Sequence, residues 1–177
     1  MAALRLRRVV VTGVGAVTPL GCGVQHAWKN LLAGKCGVTK VQQCPSSGFE
    51  GPNSWSDTLP PSSFPCHIAA LVPRGESSGQ FDISQAVPKK IASSTSPFIH
   101  YAMAAASEAL QDAAWPPEEA TEEQRERTGV AIGSGIGCVD QVAQAASTLT
   151  GSGLRRLSPF FVPSILLNLA AGQVSIL

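Results

Sequence analysis

Arg8-Val9-Val10-Val11-Thr12 runs straight into Gly13-Val14-Gly15. Successive β-branched residues favour extended backbone, so this stretch reads as a buried strand, and the glycines that follow permit a tight turn. Beyond the turn, between Gln25 and Gly34, Ala27, Trp28, Leu31 and Leu32 recur at helical spacing, with Gly34 placed as a C-cap. The same order returns downstream. Thr128-Gly129-Val130-Ala131-Ile132-Gly133 reads as a second buried strand entering Ser134-Gly135-Ile136-Gly137, with a helix over Val139 to Thr148. Between the two units, Ser96 is a good N-cap and Pro97 suits the first helical position. The Ala-rich stretch that follows, with Phe98, Tyr101, Ala102, Ala105 and Leu110, reaches Ala114, where Trp115-Pro116-Pro117 is expected to stop it. Strands alternating with helices argue for a layered α/β fold in one domain over residues 1–177.

Other segments punctuate this frame. Pro, Ser and Gly dominate from Cys44 to Gly79, a surface excursion with Ile68 to Val72 as its one candidate strand. Ser158-Pro159-Phe160-Phe161-Val162-Pro163 reads as an extended loop. Ser164 then caps a helix over Ile165 to Ala171, ended by Gly172, and Gln173 to Leu177 reads like a strand.

Composition excludes several classes. Hydrophobic residues are 44% of the 177, too many for a disordered tail, and no apolar run approaches the roughly 18 residues of a membrane span. A net charge of +1 gives no global pull toward nucleic acid or membrane. Charged residues are only 14%, against about 25% in typical domains, so much surface is expected to be buried against the chain itself or a partner. The acids Glu118, Glu119, Glu122, Glu123 and Glu126 form a run that reads as a solvated helix face. Five scattered cysteines without CxxC spacing indicate free thiols and neither a zinc site nor a redox motif. Met1 to Arg8 is Arg-rich and acid-free, as transit peptides are, but short for a whole one.

Chemistry-bearing motifs are sparse. Gly13-Val14-Gly15-Ala16-Val17-Thr18 fits a dinucleotide fingerprint in its first two glycines only, and no acid lies about twenty residues on to hold a ribose. A helix N-terminus still attracts anions, so that reading stays open beside close backbone packing. Cys138, at a strand-to-helix turn, and Cys22 are candidate nucleophiles or plain structural thiols. His26, His67 and His100 sit in unrelated segments and offer neither an evident base.

The combination is more specific than its parts. Arg8 to Gly21, then Trp28, Leu31 and Gly34-Lys35, then Asp112-Ala113-Ala114-Trp115 and Gly129 to Gly137, resemble the N-terminal part of a β-ketoacyl-acyl-carrier-protein synthase. Ser158 to Pro163 with Asn168-Leu169-Ala170-Ala171-Gly172-Gln173-Val174-Ser175-Ile176 resembles that family's central signature. Ala70-Leu71-Val72-Pro73-Arg74-Gly75 with Gly79-Gln80-Phe81 is similar to its mitochondrial branch. The resemblance implies a thiolase-like layered αβα fold working as a homodimer, here truncated within the first repeat. It implies decarboxylative condensation of malonyl carrier protein with an acyl group held on a cysteine, in fatty-acid synthesis, with no cofactor and no metal.

The family's nucleophilic cysteine, two histidines and lysine are expected beyond Leu177. No catalytic residue is therefore carried over, to Cys138 least of all, and the isolated chain is expected to be inactive and poorly soluble or partly molten. By resemblance, Ile136 gates the acyl pocket and Phe161 lines it, with ordinary core packing as the plain alternative. Arg155 and Arg156, and Lys89 and Lys90, match a surface that meets the acidic acyl carrier protein, or are solvated basic pairs. Ser93 and Ser94 stand where relatives have further cations, which thins that patch. A mitochondrial location is implied, with a cytoplasmic one as alternative. Two rivals remain: a non-catalytic product pairing with the full-length subunit, and a Rossmann-type oxidoreductase.

Overall fold

The computed structural model describes residues 8–40, 65–115 and 117–177. Most of the Cys44 to Gly79 excursion lies outside the described residues, Cys44 and Trp55 included. In chain order come β1 (Val17–Thr18), β2 (Gly21–Cys22), α1 (Val24–Leu32), β3 (Thr39–Lys40) and β4 (Ile68–Ala69). The helices α2 (Ile83–Ala86), α3 (Lys89–Ala92), α4 (Pro97–Asp112), α5 (Glu122–Glu126), α6 (Val139–Ser152), α7 (Phe161–Ile165) and α8 (Leu169–Val174) follow. Single 3₁₀ turns occupy Pro117–Glu119 and Leu154–Arg156.

The helix ends show how the chain is punctuated. Helix α1 closes with Gly34 at φ 68° and the Lys35 N–H donating to the Asn30 carbonyl at 3.0 Å, the expected glycine stop. Helix α4 closes in the same way but with Ala114, at φ 51°, in the glycine's place. The Trp115 N–H donates to the Leu110 carbonyl at 3.0 Å and that of Ala114 to Gln111 at 3.1 Å. The helix thus ends on this turn, immediately before the expected stop at Trp115-Pro116-Pro117. Ser96 stands at the expected N-cap, yet its hydroxyl makes no capping bond; it donates instead to the carbonyl of Ser164 in α7.

The two expected strands are corrected. Residues 8–15 and 128–137 run without ladder hydrogen bonds, and Val9, Val10 and Val11 are 92%, 68% and 82% exposed. A strand is held by its neighbour's backbone, and no described segment pairs with either stretch. The ladders that do form are short antiparallel pairs, β1 with β2 and β3 with β4.

Downstream, the helix expected over Ile165 to Ala171 is divided. Ser164 lies inside α7 rather than capping it, Gly172 lies inside α8, and Gln173 to Leu177 continue α8 and its closing turn rather than a strand. The small residues Ala170, Ala171 and Gly172 let α8 come close to α4, where helical turns pack best. There sits the core: Ile99, Met103, Val87 and Ala170 are buried together, with Ile132, Phe98, Leu169 and Val174 around them. Few large apolar side chains are fully buried among the described residues, while Leu32, Ile136, Leu154 and Ile176 are each more than two-thirds exposed. Much apolar surface is therefore left uncovered by the described residues.

Candidate functional site

Two carboxylates on α4 organise the glycine loop. Gly13 and Gly15 lie so close to α4 that a Cβ on either would run into its backbone, at Ala109 and Ala105 respectively. One turn apart on the same face, Asp112 and Glu108 reach the loop between them. The Val14 N–H donates to Asp112 Oδ2 at 2.9 Å and the Ala16 N–H to Glu108 Oε2 at 2.9 Å. Glu108 Oε1 accepts from the Val24 N–H, in the first turn of α1, at 2.7 Å. The anion-attracting end of α1 is thus filled by the chain's own carboxylate. The dinucleotide reading is overturned here: the glycines serve helix packing, and a phosphate would have to displace Glu108.

Cys22 gains no activation from its setting. Burial, and then the Glu108 carboxylate, push the Cys22 thiol up, which keeps it protonated and poorly nucleophilic. Cys138 stands at the N-cap of α6 without a side-chain capping bond. His26 packs its ring over Gly21 and Gly79, a structural role, and His67 is exposed.

His100 is buried beneath the α3–α4 junction. The Thr95 hydroxyl donates to the Ile91 carbonyl at 2.6 Å, so at its 2.9 Å contact with His100 it accepts, and Nε2 carries the proton. Nearby, Tyr101 Oη accepts from Arg74 Nη2 at 2.6 Å and from Nε at 3.0 Å, and Phe81 meets the Tyr101 ring edge-on at 4.8 Å. This is how the Ala70–Gly75 and Gly79–Phe81 stretches are joined to α4. Burial, and then the Arg74 charge, push His100 below its usual 6.5. A depressed histidine favours the neutral form in the native state, so its stabilisation is present above about pH 6.5 and is lost as pH falls through the folded-state value. Thermal midpoints should therefore fall between pH 7.5 and 5.5 more steeply for the native chain than for His100→Gln. Parallel profiles would refute this.

The sequence-expected site residues fall in three places. Gly137 abuts the Ile165 carbonyl, which sets the loop carrying Ile136 against the end of α7, whose first residue is Phe161. Ile136 is 71% exposed and Phe161 half-buried. Lys89 and Lys90 are exposed on α3, and Arg155 and Arg156 are exposed on the 3₁₀ turn leading into α7. The Ser96 bond to Ser164 links the segments after α3 and within α7. Among the described residues none of the four cations makes an ion pair. Sequence reasoning missed Glu108 and Asp112, although two acids four apart on an otherwise Ala-rich helix mark one face. It also missed an apolar trough of about 540 Å³ between α1 and residues 35–38, lined by Leu20, Val24, Trp28, Leu31 and Val38.

Residues 6–177 match the family model described as beta-ketoacyl synthase, N-terminal domain. The chain is 44% identical over 171 residues to a mitochondrial 3-oxoacyl-[acyl-carrier-protein] synthase of Arabidopsis thaliana, covering 96% of this chain and 35% of that protein. It is 45% identical over 172 residues to 3-oxoacyl-[acyl-carrier-protein] synthase 2 of Rhizobium meliloti, covering 97% and 37%. Its backbone superposes on a crystal structure of a beta-ketoacyl synthase from Burkholderia phymatum with a TM-score of 0.70 at 27% identity, over 97% of this chain and 36% of that one. The chain thus spans little more than a third of the length of these relatives, and its fold is similar to that of the Burkholderia synthase over nearly the whole chain.

Proposed function

Because the chain belongs to the β-ketoacyl synthase family, matching its N-terminal domain, we propose that it serves a 3-oxoacyl-acyl-carrier-protein synthase of fatty-acid biosynthesis. The observation that carries this reading is the match itself, which runs through almost every described element at 44% identity to a synthase named for that reaction. In the reaction an acyl group resides as a thioester on the enzyme, and malonyl carrier protein loses CO₂. The resulting enolate attacks the acyl carbonyl, so that a carbon–carbon bond forms as the carbon–sulfur bond breaks. This chain's share is a wall of the acyl pocket at Ile136 and Phe161 and a docking face for acyl carrier protein at Arg155, Arg156, Lys89 and Lys90. Their exposure without internal ion pairs suits cations kept for an acidic partner. The working form is a homodimer, which would cover apolar side chains such as Leu154 and Ile136. The location is mitochondrial, supported by the Arabidopsis relative.

The test uses the endogenous protein, captured with an antibody against residues 155–175. It is expected to release CO₂ from malonyl carrier protein and to form a 3-oxoacyl product when an acyl donor is supplied. Replacing Arg155 and Arg156 by glutamate should raise KM for carrier protein about tenfold at low salt with kcat little changed. Failure to release CO₂ would overturn the activity, and an unchanged KM would remove these arginines from the docking face.

A further inference from the structure

Four hydroxyl residues, Ser93, Ser94, Thr95 and Ser96, follow the basic helix α3, and the structure treats them differently. Thr95 and Ser96 are 8% and 0% exposed, with their hydroxyls committed to the Ile91 and Ser164 carbonyls. Ser94 is half-buried, its hydroxyl shared between the Lys90 and Ile91 carbonyls. Ser93 alone of the four is exposed. It is the C-cap of α3, and its hydroxyl donates to the Lys90 carbonyl at 3.0 Å. Lys89 and Lys90 precede it by four and three residues and therefore share its side of the turn. Cations at those offsets from an accessible serine are what a protein kinase with an acidic substrate groove reads. Ser93 and both lysines are exposed together at the end of a helix of only four residues, which is the part of the segment a kinase can reach.

We propose that Ser93 is a phosphorylation site of a basophilic protein kinase and that its phosphate switches off the Lys89–Lys90 docking face; the inference rests on the carrier-protein reading above. In the transfer, Ser93 Oγ bonds to the γ-phosphorus of ATP as the bond to the β,γ-bridging oxygen breaks. ADP leaves, and the hydroxyl proton passes to the kinase's base. The product carries close to two negative charges within reach of two ammonium groups, so the local charge of the face is cancelled. The phosphate also sits at the carbonyl end of α3, where the helix dipole repels it and the bond to Lys90 is lost. Pairing and loosening act together to withdraw both lysines from an acidic partner.

The experiment treats the full chain with a basophilic kinase and magnesium-ATP, then maps the phosphate by peptide mass. Phosphate is expected at Ser93 and is absent from that position in Ser93→Ala; Ser158→Ala, which removes the exposed serine after Arg155 and Arg156, is expected to leave it in place. The modified chain, captured at low density so that copies stay apart, should bind malonyl carrier protein roughly 3- to 10-fold more weakly at low ionic strength. Phosphate at another residue only, or equal binding before and after modification, overturns the proposal. Lys89→Ala with Lys90→Ala separates the two readings. If this variant binds carrier protein as the unmodified chain does, the docking face fails while the modification at Ser93 stands.

Discussion

Replacing Gly15 by alanine is expected to lower hydrogen-exchange protection across α4 by about two orders of magnitude, whereas Gly129→Ala leaves it unchanged. A Cβ at position 15 would collide with the Ala105 carbonyl and crowd the Ala109 amide. These are backbone atoms of a helix, and they cannot swing aside as the tip of a side chain can. The loop must therefore lift away from α4, and the Ala16 N–H must leave Glu108 as it does so. Losing that bond and the packing together corresponds to roughly 3 kcal/mol, or somewhat more than a hundredfold in the opening equilibrium. Gly129 lies in the same kind of strand–glycine context by sequence, yet nothing approaches within 4 Å of a Cβ built there. The pair of variants thus separates close packing from a general intolerance of side chains in glycine runs. Equal exchange in the two would remove the packing role assigned to Gly15.

How much of this was legible in the residues divides along physical lines. Local signals are legible: the apolar period from Ala27 to Leu32, the Gly34 stop, and Pro97 opening the long helix all lie in short-range backbone preferences. Features that depend on distant partners are not. Val9 to Val11 carry a strand's composition, but a ladder also needs a neighbour, which no described segment provides. Ser96 has a cap's position and chemistry, but Ser164, 68 residues away, takes its hydroxyl. The division of the 161–174 region into two short helices goes with two different packing partners, α6 for α7 and α4 for α8, which no period in the sequence announces. For the site, the family likeness placed Ile136, Phe161 and the four cations. It said nothing of Glu108, because a carboxylate that serves backbone amides leaves no motif.

Glu108 supplies the second large effect. Its two oxygens hold two amides that belong to different elements, Ala16 in the loop and Val24 in α1. In Glu108→Ala both amides lose a charged acceptor in a partly buried setting, each worth about 1.5–3 kcal/mol. Exchange at Ala16 and Val24 should accelerate by roughly 10- to 100-fold. Asp112→Ala, which frees only the exposed Val14 amide, should change little beyond that position. Glu108→Gln keeps one acceptor oxygen and should restore protection at one of the two amides but not both. The variant also exposes why no phosphate is expected in the native chain. Once the carboxylate is gone, the N-terminus of α1 presents unsatisfied amides to an empty site. Inorganic phosphate should then slow exchange at Val24 in Glu108→Ala and have no effect on the native chain. A phosphate effect on the native chain would mean that the α1 terminus is open after all, and that the carboxylate does not hold it.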